Sequence, residues 1–278
     1  MAALRRARAN LARYKAAVLK AAVEGRLVAQ DAADEPASEL LARILAERRA
    51  RWEAAHPGKK YIEPRRPDVD DLPELPEGWV WASFEQLLFS AQNGFGKRNS
   101  SIGEPTIVLR LADIAQGGIS LENVRRIKMS NEEIEKYQLH EGDLLCLRVN
   151  GSPKLVGRMI YIRKFDEDIA FCDHFIRFQP VDIEIAPFIA LYFGSEIIRK
   201  FVELNMVSSA GQNTVSQRIL FDILIPLPPM TEQRLIISEL DRRLSIIQTT
   251  EQALDANLAR AERLRQAVLG KAFRGELV

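Results

Sequence analysis

The stretch "AAVLKAAVEGRLV" at residues 16–28 reads almost the same as the end of the chain, "QAVLGKAFRGELV" at residues 266–278. At an offset of 250 residues, seven positions are identical, beginning with Ala17 and Ala267 and ending with Val28 and Val278. Two helices rich in Ala, Val and Leu can match by chance, but a shared G-x-L-V ending after the helix stop favours an internal repeat. Such a repeat predicts two related helices that bracket one globular domain, with a second domain before the first copy or on a second chain.

Composition places the chain in a broad class. It has 278 residues, of which 47% are apolar and 28% are charged, as in an ordinary globular protein of one or two domains. No run of 18 apolar residues predicts a membrane span, and the basic N-terminus lacks the apolar core of a secretory signal. Because Cys146 and Cys172 form no disulfide framework, we expect a cytoplasmic protein.

Helical periodicity is clearest at the two ends of the chain. Residues 1–28 predict a short helix that ends at Gly25, and residues 229–278 predict a helix of roughly 40 residues, or about 60 Å. One apolar seam follows the long helix and is broken at Glu251. A seam of this length predicts a coiled coil with another helix. Its members are Leu240, Leu244, Ile247, Leu254, Leu258, Ala261 and Val268.

The middle of the chain changes character twice. Residues 29–78 predict a connector with one helix followed by a proline-rich stretch. Residues 79–228 contain short apolar runs separated by turn residues, such as "TIVLRL", "RMIYIR" and "AFCDHFIRF", with two helical pieces between them. We therefore predict an α+β fold, in which one β-rich globular domain is combined with long coiled-coil-forming helices.

The sequence lacks the residue patterns of several common catalytic and binding sites. "NGFGKRNS" contains Gly-x-Gly-Lys without the full spacing of a phosphate loop, and no G-x-S-x-G elbow is present. His56, His140 and His174 lack metal-ligand spacing, and we expect His174 to be a structural residue in a strand. The sequence thus predicts no catalytic residue, metal or cofactor.

The order of several motifs resembles a known family. "LPELPEGWVWASFEQLL", "LRLADI", "EGDLLCLRVNGSPKLVGRMIYI", "ILIPLPPMTEQRLIISELD" and the terminal "LRQAVLGKAFRGELV" together resemble the specificity subunit of type I restriction–modification systems. The resemblance implies a target-recognition domain over residues 79–228, flanked by conserved spacer helices. It also implies binding to double-stranded DNA and to methyltransferase and endonuclease subunits, with no catalysis by the specificity subunit itself.

The chain departs from that family by having one recognition domain instead of two. It resembles the C-terminal half of such a subunit, which would read one half of a split DNA site. The helices would set the spacing between half-sites. A homodimer is one way to complete the pair of recognition domains.

Three loop-like segments offer side chains that can contact bases or phosphates. Asn and Gln can pair with adenine and Arg with guanine, while Lys and Arg contact phosphates. The alternative is that these segments are ordinary solvated turns. The candidates are Lys97, Arg98 and Asn99; Arg148, Asn150, Ser152 and Lys154; and Gln212, Asn213, Thr214 and Arg218.

The charge balance leaves competing functions open. Residues 76–230 carry 16 Lys and Arg against 19 Asp and Glu, a net charge of −3. This predicts weak DNA binding by the isolated chain. It also leaves room for a structural coiled-coil protein whose β-rich domain binds a partner other than DNA. A phosphate-handling enzyme that uses "GFGK" is a third alternative, which the motif spacing disfavours.

Overall fold

The structure is a computed structural model that describes residues 2–98, 102–115 and 118–275. The strands lie between Val80 and Leu227 with short helices among them, and the longest helices lie outside that range, which confirms the predicted α+β class. The helices are α1 (Ala2–Val23), α2 (Ala37–Ala55), α3 (Asn131–Tyr137), α4 (Ala186–Phe193), α5 (Glu196–Asn205), α6 (Gln217–Phe221) and α7 (Met230–Phe273). The strands are β1 (Val80–Ser83), β2 (Leu88–Asn93), β3 (Glu104–Leu109), β4 (Ile114–Ala115), β5 (Gly118–Ile119), β6 (Arg126–Met129), β7 (Leu144–Leu147), β8 (Val149–Asn150), β9 (Met159–Tyr161), β10 (Ile169–Phe171), β11 (Phe175–Pro180), β12 (Val207–Ser209), β13 (Gln212–Thr214) and β14 (Leu224–Leu227).

The strands form small sheets instead of one large one. An antiparallel sheet has the order β2-β11-β7-β9, and a mixed sheet has the order β10-β3-β6, with β3 parallel to β10. A third sheet, β12-β13-β8, combines strands that are far apart in sequence. Aromatic side chains fill the core, as where Phe84 packs against Phe178 and Phe193 at ring distances of 5.0 and 4.8 Å.

Contacts divide the chain into two compact units. Unit 2 comprises Asp31–Gln233, and unit 1 comprises Met1–Gln30 with Arg234–Val278. The first and last strands of unit 2, β1 and β14, pair with each other, so that Val80 lies opposite Leu227. Beside them, the buried Trp79 indole donates to a carboxylate oxygen of buried Glu232 at 2.8 Å. The segment that enters unit 2 is therefore tied to the segment that leaves it.

The predicted connector packs as part of unit 2. In α2, Ala37, Leu40 and Ile44 are buried, and Arg48 Nε donates to the carbonyl of Leu88 at 2.8 Å. Its Pro-rich continuation also contacts the unit, since Ser83 Oγ donates to the carbonyl of Arg65 at 3.3 Å. The sequence did not predict that this segment packs against unit 2, because helical periodicity does not say which neighbour covers a helix face.

In unit 1, α1 and α7 run antiparallel. Arg8 Nε lies 3.4 Å from a carboxylate oxygen of Asp255, and the later part of α1 faces an earlier part of α7, where Tyr14 helps raise the pKa values of Arg242 and Arg243. Of the seam residues in α7, Leu240 and Ile247 are buried, whereas Val268 is 53% exposed. The remaining seam positions are half-buried, namely Leu244, Leu254, Leu258 and Ala261. The assignment of this helix pair as a coiled-coil ruler stays a prediction.

One apolar run that suggested continuous strand is interrupted. "AFCDHFIRF" ends β10 at Phe171 and starts β11 at Phe175, with a turn between them. His174 therefore lies in a turn, and its expected position in a strand is wrong. The break follows from pairing, because β10 joins β3 in one sheet and β11 joins β2 and β7 in another.

Candidate nucleic-acid interface

The 172–174 turn contacts the first two of the three predicted loop segments, and the third segment joins them through the second. The first segment approaches it through Gly94, where an added Cβ would lie 2.1 Å from the carbonyl oxygen of Cys172. The next residue, Phe95, donates its N–H to Phe171 O at 2.8 Å, and Asp173 N–H donates back to Phe95 O at 3.1 Å. Only glycine allows this approach, so local sequence fixes the start of the first loop beside the turn.

The cations of the first loop are both paired with acids. Lys97 Nζ lies 2.6 Å from Glu133 Oε1 of α3, and Arg98 lies 3.1 Å from Asp173 Oδ1. The Lys97 hydrogen bond is the main cause that lowers the pKa of Glu133 below its ordinary value. Both cations are more than half exposed. Asn99 lies outside the described residues.

The second segment joins the other side of the same turn. The N–H groups of Arg148 and Val149 both donate to the carbonyl of His174, at 2.8 and 3.3 Å. After this point the chain turns sharply, because the Asn150 side chain accepts the Ser152 N–H at 2.8 Å. Asn150 therefore shapes the loop, whereas the side chain of Lys154 is exposed.

The third segment is a hairpin that pairs with the second. Strands β12 and β13 are joined by Ala210 and Gly211, both with positive φ (48° and 77°), as a tight two-residue hairpin requires. Asn213 Nδ2 donates to the carbonyls of Asn150 and Gly151 at 3.3 and 3.1 Å. This amide holds two loops together. Gln212 lies beside it with an exposed side chain.

A contact beyond the hairpin joins the third segment to the strand that leads into the first loop. Ser216 caps α6, and the next residue, Gln217, donates from Nε2 to Asn93 Oδ1 at the end of β2, at 3.1 Å. Arg218 follows with an exposed side chain, while Thr214 is half-buried. We call the surface formed by residues 97–98, 148–154, 172–174 and 212–218 the loop surface.

The cysteines differ in environment. Cys146 lies in β7 with no exposed surface, and burial raises the pKa of its thiol to about 12. Cys172 begins the 172–174 turn, and burial raises the pKa of its thiol as well. Both thiols are therefore protonated near neutral pH, as expected of unreactive core cysteines.

Two groups at the turn were missed from the sequence. His174 Nδ1 lies 3.5 Å from Cys172 Sγ and 3.4 Å from Asp173 Oδ1, and one donor atom of each of these three residues lies within 4.8 Å of the others. Arg98 already pairs with the Asp173 carboxylate, which disfavours a metal ion there. Arg125, just before β6, accepts the Val108 N–H at its carbonyl, and Val108 is paired with Ala170, two residues before Cys172. Only the sheet register reveals this placement.

Comparisons with known proteins agree on one family. The profile of the Type I restriction modification DNA specificity domain matches residues 114–258. The StySPI type I restriction enzyme specificity subunit of Salmonella potsdam is 36% identical over 201 residues, which cover 72% of this chain and 43% of the relative. The EcoKI specificity subunit of Escherichia coli K12 is 29% identical over 70% of this chain and 42% of its own length.

Structural similarity supports the fold. A chain from a solved type I R-M system superposes with a TM-score of 0.52 at 21% identity, covering 87% of this chain and 55% of that one. The chain thus spans about half the length of the curated relatives that it matches. Within the part of the chain that the structure describes, no helix is both long enough and apolar enough to cross a membrane.

Proposed function

Because the chain belongs to the type I restriction modification DNA specificity family, we propose that it reads one half of a bipartite DNA site. In this proposal unit 2 is the reader, and this chain itself performs no catalysis. Methyltransferase subunits dock on the chain, and endonuclease subunits join the complex for cleavage. A cytoplasmic location remains a prediction.

The convergence of the loops is the observation that carries the proposal. Three segments that are separated in sequence by about 50 residues each form one connected surface. The first two make backbone hydrogen bonds to Phe171, Asp173 and His174. The third bonds the second, since Val215 N–H donates to Arg148 O at 3.0 Å. Solvated turns with no common function need no such convergence. A reader of base edges does need it, because several donors must reach one stretch of groove together.

The contacts of each side chain suggest different roles on this surface. Asn150 and Asn213 are occupied in shaping the loops, so their substitution would act through structure. Gln212 and Arg218 are exposed and carry the donors suited to adenine and guanine. We therefore propose Gln212 and Arg218 as base contacts, and Lys154 as a phosphate contact.

Charge limits what the isolated chain can do. Residues 76–230 have a net charge of −3, and Lys97 and Arg98 are paired with acids. Since phosphate neutralisation supplies much of the affinity for DNA, we expect weak binding alone and tighter binding with methyltransferase subunits. The same charges favour the second candidate, a coiled-coil protein whose β-rich domain binds a partner other than DNA.

The long helix suits the role of a spacer. The 44 residues of α7 make a rod of about 66 Å. Two readers on successive DNA turns need a separation of about 34–36 Å, which such a rod can bridge. We propose that a second copy of this chain supplies the other reader, so that whole heptads added to α7 would change the unread spacer but not the bases read.

Selection from a library of randomised duplexes tests the proposed reader. Bound duplexes are recovered in excess unspecific competitor and sequenced, and we expect one short motif to be enriched. Gln212→Ala should relax one position of that motif, at a cost of about 1–3 kcal/mol in discrimination. Gln248→Ala, an exposed glutamine in α7, is the matched control and should leave the motif unchanged. Recovery without any enriched motif would refute sequence reading.

A further inference from the structure

The hairpin of the third loop segment is exposed and carries no charged side chain. Residues 207–212, which comprise β12, the two-residue turn and the first residue of β13, are exposed one after another. Residues 207–214 read "VSSAGQNT", without Lys, Arg, His, Asp or Glu. Cations supply most of the binding to phosphates, whereas amide and apolar side chains can read base edges. The hairpin therefore suits base edges better than phosphates.

Strand register divides the hairpin into two faces. Three pairs of residues lie opposite each other, namely Val207 with Thr214, Ser208 with Asn213, and Ser209 with Gln212. Opposite residues point to the same face, and the face alternates along each strand. The middle pair shares a hydrogen bond, and its Asn213 also bonds the carbonyls of Asn150 and Gly151. The first and third pairs share the opposite face, which we call the ribbon face.

A third strand extends the ribbon face. Thr214 lies opposite Val149 of β8, so Val149 points to the same side as Thr214 and Val207. These three β-branched side chains form one row across three strands, which is about 10 Å long at about 4.8 Å between strands. Val207 is 65% exposed, while Thr214 and Val149 are half-buried. The row is a line of methyl groups that is most open at Val207.

The ribbon face combines this row with an amide. Gln212 lies two residues before Thr214 in β13, so it points to the same side, and its side chain is exposed. A single exposed valine is common on protein surfaces and needs no function. An amide beside a row of methyl groups, however, matches the major-groove edge of A·T pairs. There adenine offers N6 and N7 to a glutamine, and thymine offers its C5-methyl group to apolar side chains.

The dimensions of the hairpin also fit the major groove. This groove is about 12 Å wide and admits a two-stranded β-ribbon. Two strands about 4.8 Å apart fit within that width together with their side chains. Lys154 and Arg218 lie outside the hairpin with exposed side chains.

We propose that β12 and β13 enter the major groove as a two-stranded ribbon, with the row of Val207, Thr214 and Val149 against thymine methyl groups. Gln212 then binds the adenine of the same or the adjacent base pair. The proposal rests on the proposed DNA-reading function and adds the class of base pair that is read. It makes Val207 a specificity-determining residue, although its side chain can form no hydrogen bond.

Replacement of thymine by deoxyuridine tests the row, because it removes only the C5-methyl group. Each thymine of the enriched motif is replaced singly, and the affinity of the full chain is measured by fluorescence anisotropy. For the wild type, at least one replacement should weaken binding about fourfold, the effect of one methyl group that is no longer buried. For Val207→Ala, the same replacement should weaken binding less than about twofold, because the methyl group has lost its contact.

Two further variants separate the methyl contact from a change in folding. Ile197→Ala is the matched control, because Ile197 is also β-branched and is 61% exposed, but lies in α5 outside the hairpin. It should keep the fourfold effect. Thr214→Ser removes one methyl group from the row and keeps the hydroxyl, so it should reduce the effect at the same or a neighbouring thymine. Val207→Ala should keep the wild-type melting temperature, because its side chain is exposed.

The outcomes distinguish this contact from the reading function itself. An enriched motif whose thymines can all be replaced without loss would overturn the contact and leave sequence reading intact. A fourfold effect that persists in both Val207→Ala and Thr214→Ser would also overturn it, because another residue would then hold the methyl group. A wild type that enriches no motif would overturn the reading function together with the contact.

Discussion

The two copies of the repeat have nearly the same sequence but opposite burial. Val18 is 3% exposed in α1, whereas its counterpart Val268 is 53% exposed in α7. Val23 is buried at 7%, whereas its counterpart Phe273 is 89% exposed. An amphipathic pattern therefore marks a face that can be buried, and a neighbour decides whether it is.

The antiparallel register of unit 1 explains the difference. With Arg8 beside Asp255, one-for-one antiparallel pairing brings the start of α1 near residue 261, at about 1.5 Å per residue. Val268 lies about 10 Å farther along α7. Leu264, Val268, Leu269 and Phe273 remain at least 45% exposed. We call the stretch 264–273, which carries these four residues, the open end of α7.

Charge substitutions at the paired valines should have the largest effect. Val18→Asp puts a carboxylate into a buried site and should lower the free energy of unfolding by about 3 kcal/mol. Val268→Asp should change it by less than about 0.5 kcal/mol in dilute, monomeric protein, because the site is exposed. Urea denaturation followed by circular dichroism measures both. Equal losses would mean that the open end is covered within one chain.

Enlarging the paired alanines should give the next largest difference. Ala22 has no exposed surface, so Ala22→Leu should overpack its site and cost about 1–3 kcal/mol. Ala272 is exposed, so Ala272→Leu should change the free energy of unfolding by less than about 0.5 kcal/mol. The same denaturation experiment applies. A costly Ala272→Leu at low concentration would contradict the exposure of this copy.

The terminal glycines should differ by a smaller amount. Gly25 and Gly275 both adopt a left-handed backbone, with φ of 65° and 70°. After Gly25, Arg26 N–H donates to Ala21 O at 2.8 Å and closes the end of α1. Gly25→Ala should cost about 1 kcal/mol, and Gly275→Ala less, because the open end frays more readily. The melting temperatures of the two variants measure this difference. A larger loss of stability for Gly275→Ala than for Gly25→Ala would contradict it.

The Arg8–Asp255 ion pair should have the smallest effect. Its side chains are 61% and 52% exposed, so solvent screens the attraction. A double-mutant cycle with Arg8→Ala and Asp255→Ala should give a coupling of about 0.2–1 kcal/mol that falls with added salt. No coupling at low salt would argue against the antiparallel register assigned to unit 1.

Local signals in the sequence were sufficient for much of the fold. The 3.6-residue period predicted α1 and α7, and α2 spans the predicted helical stretch. Ser130 and Glu133 form a capping box at the start of α3, a signal that is contained within four residues. The α+β class followed from the same kinds of pattern.

The site needed information that local sequence does not contain. The turn at 172–174 exists because β10 and β11 join different sheets. Asn213 attracts attention as a possible base contact in the sequence, yet in the fold it bonds the carbonyls of Asn150 and Gly151. In the sequence Arg125 looks like an ordinary surface cation. In the fold its carbonyl accepts the Val108 N–H, and this pairing places it on an inner face of a sheet. Each depends on partners at least 17 residues away or in another sheet.

Mass in solution tests most directly whether this chain is one half of a two-reader protein. Light scattering is carried out at micromolar concentration on the wild type and on Val268→Asp. If a second copy covers the open end of α7, the wild type has twice the chain mass of 31.4 kDa, and Val268→Asp returns to a single chain. A wild type of single-chain mass under these conditions would contradict pairing of two copies through the open end of α7.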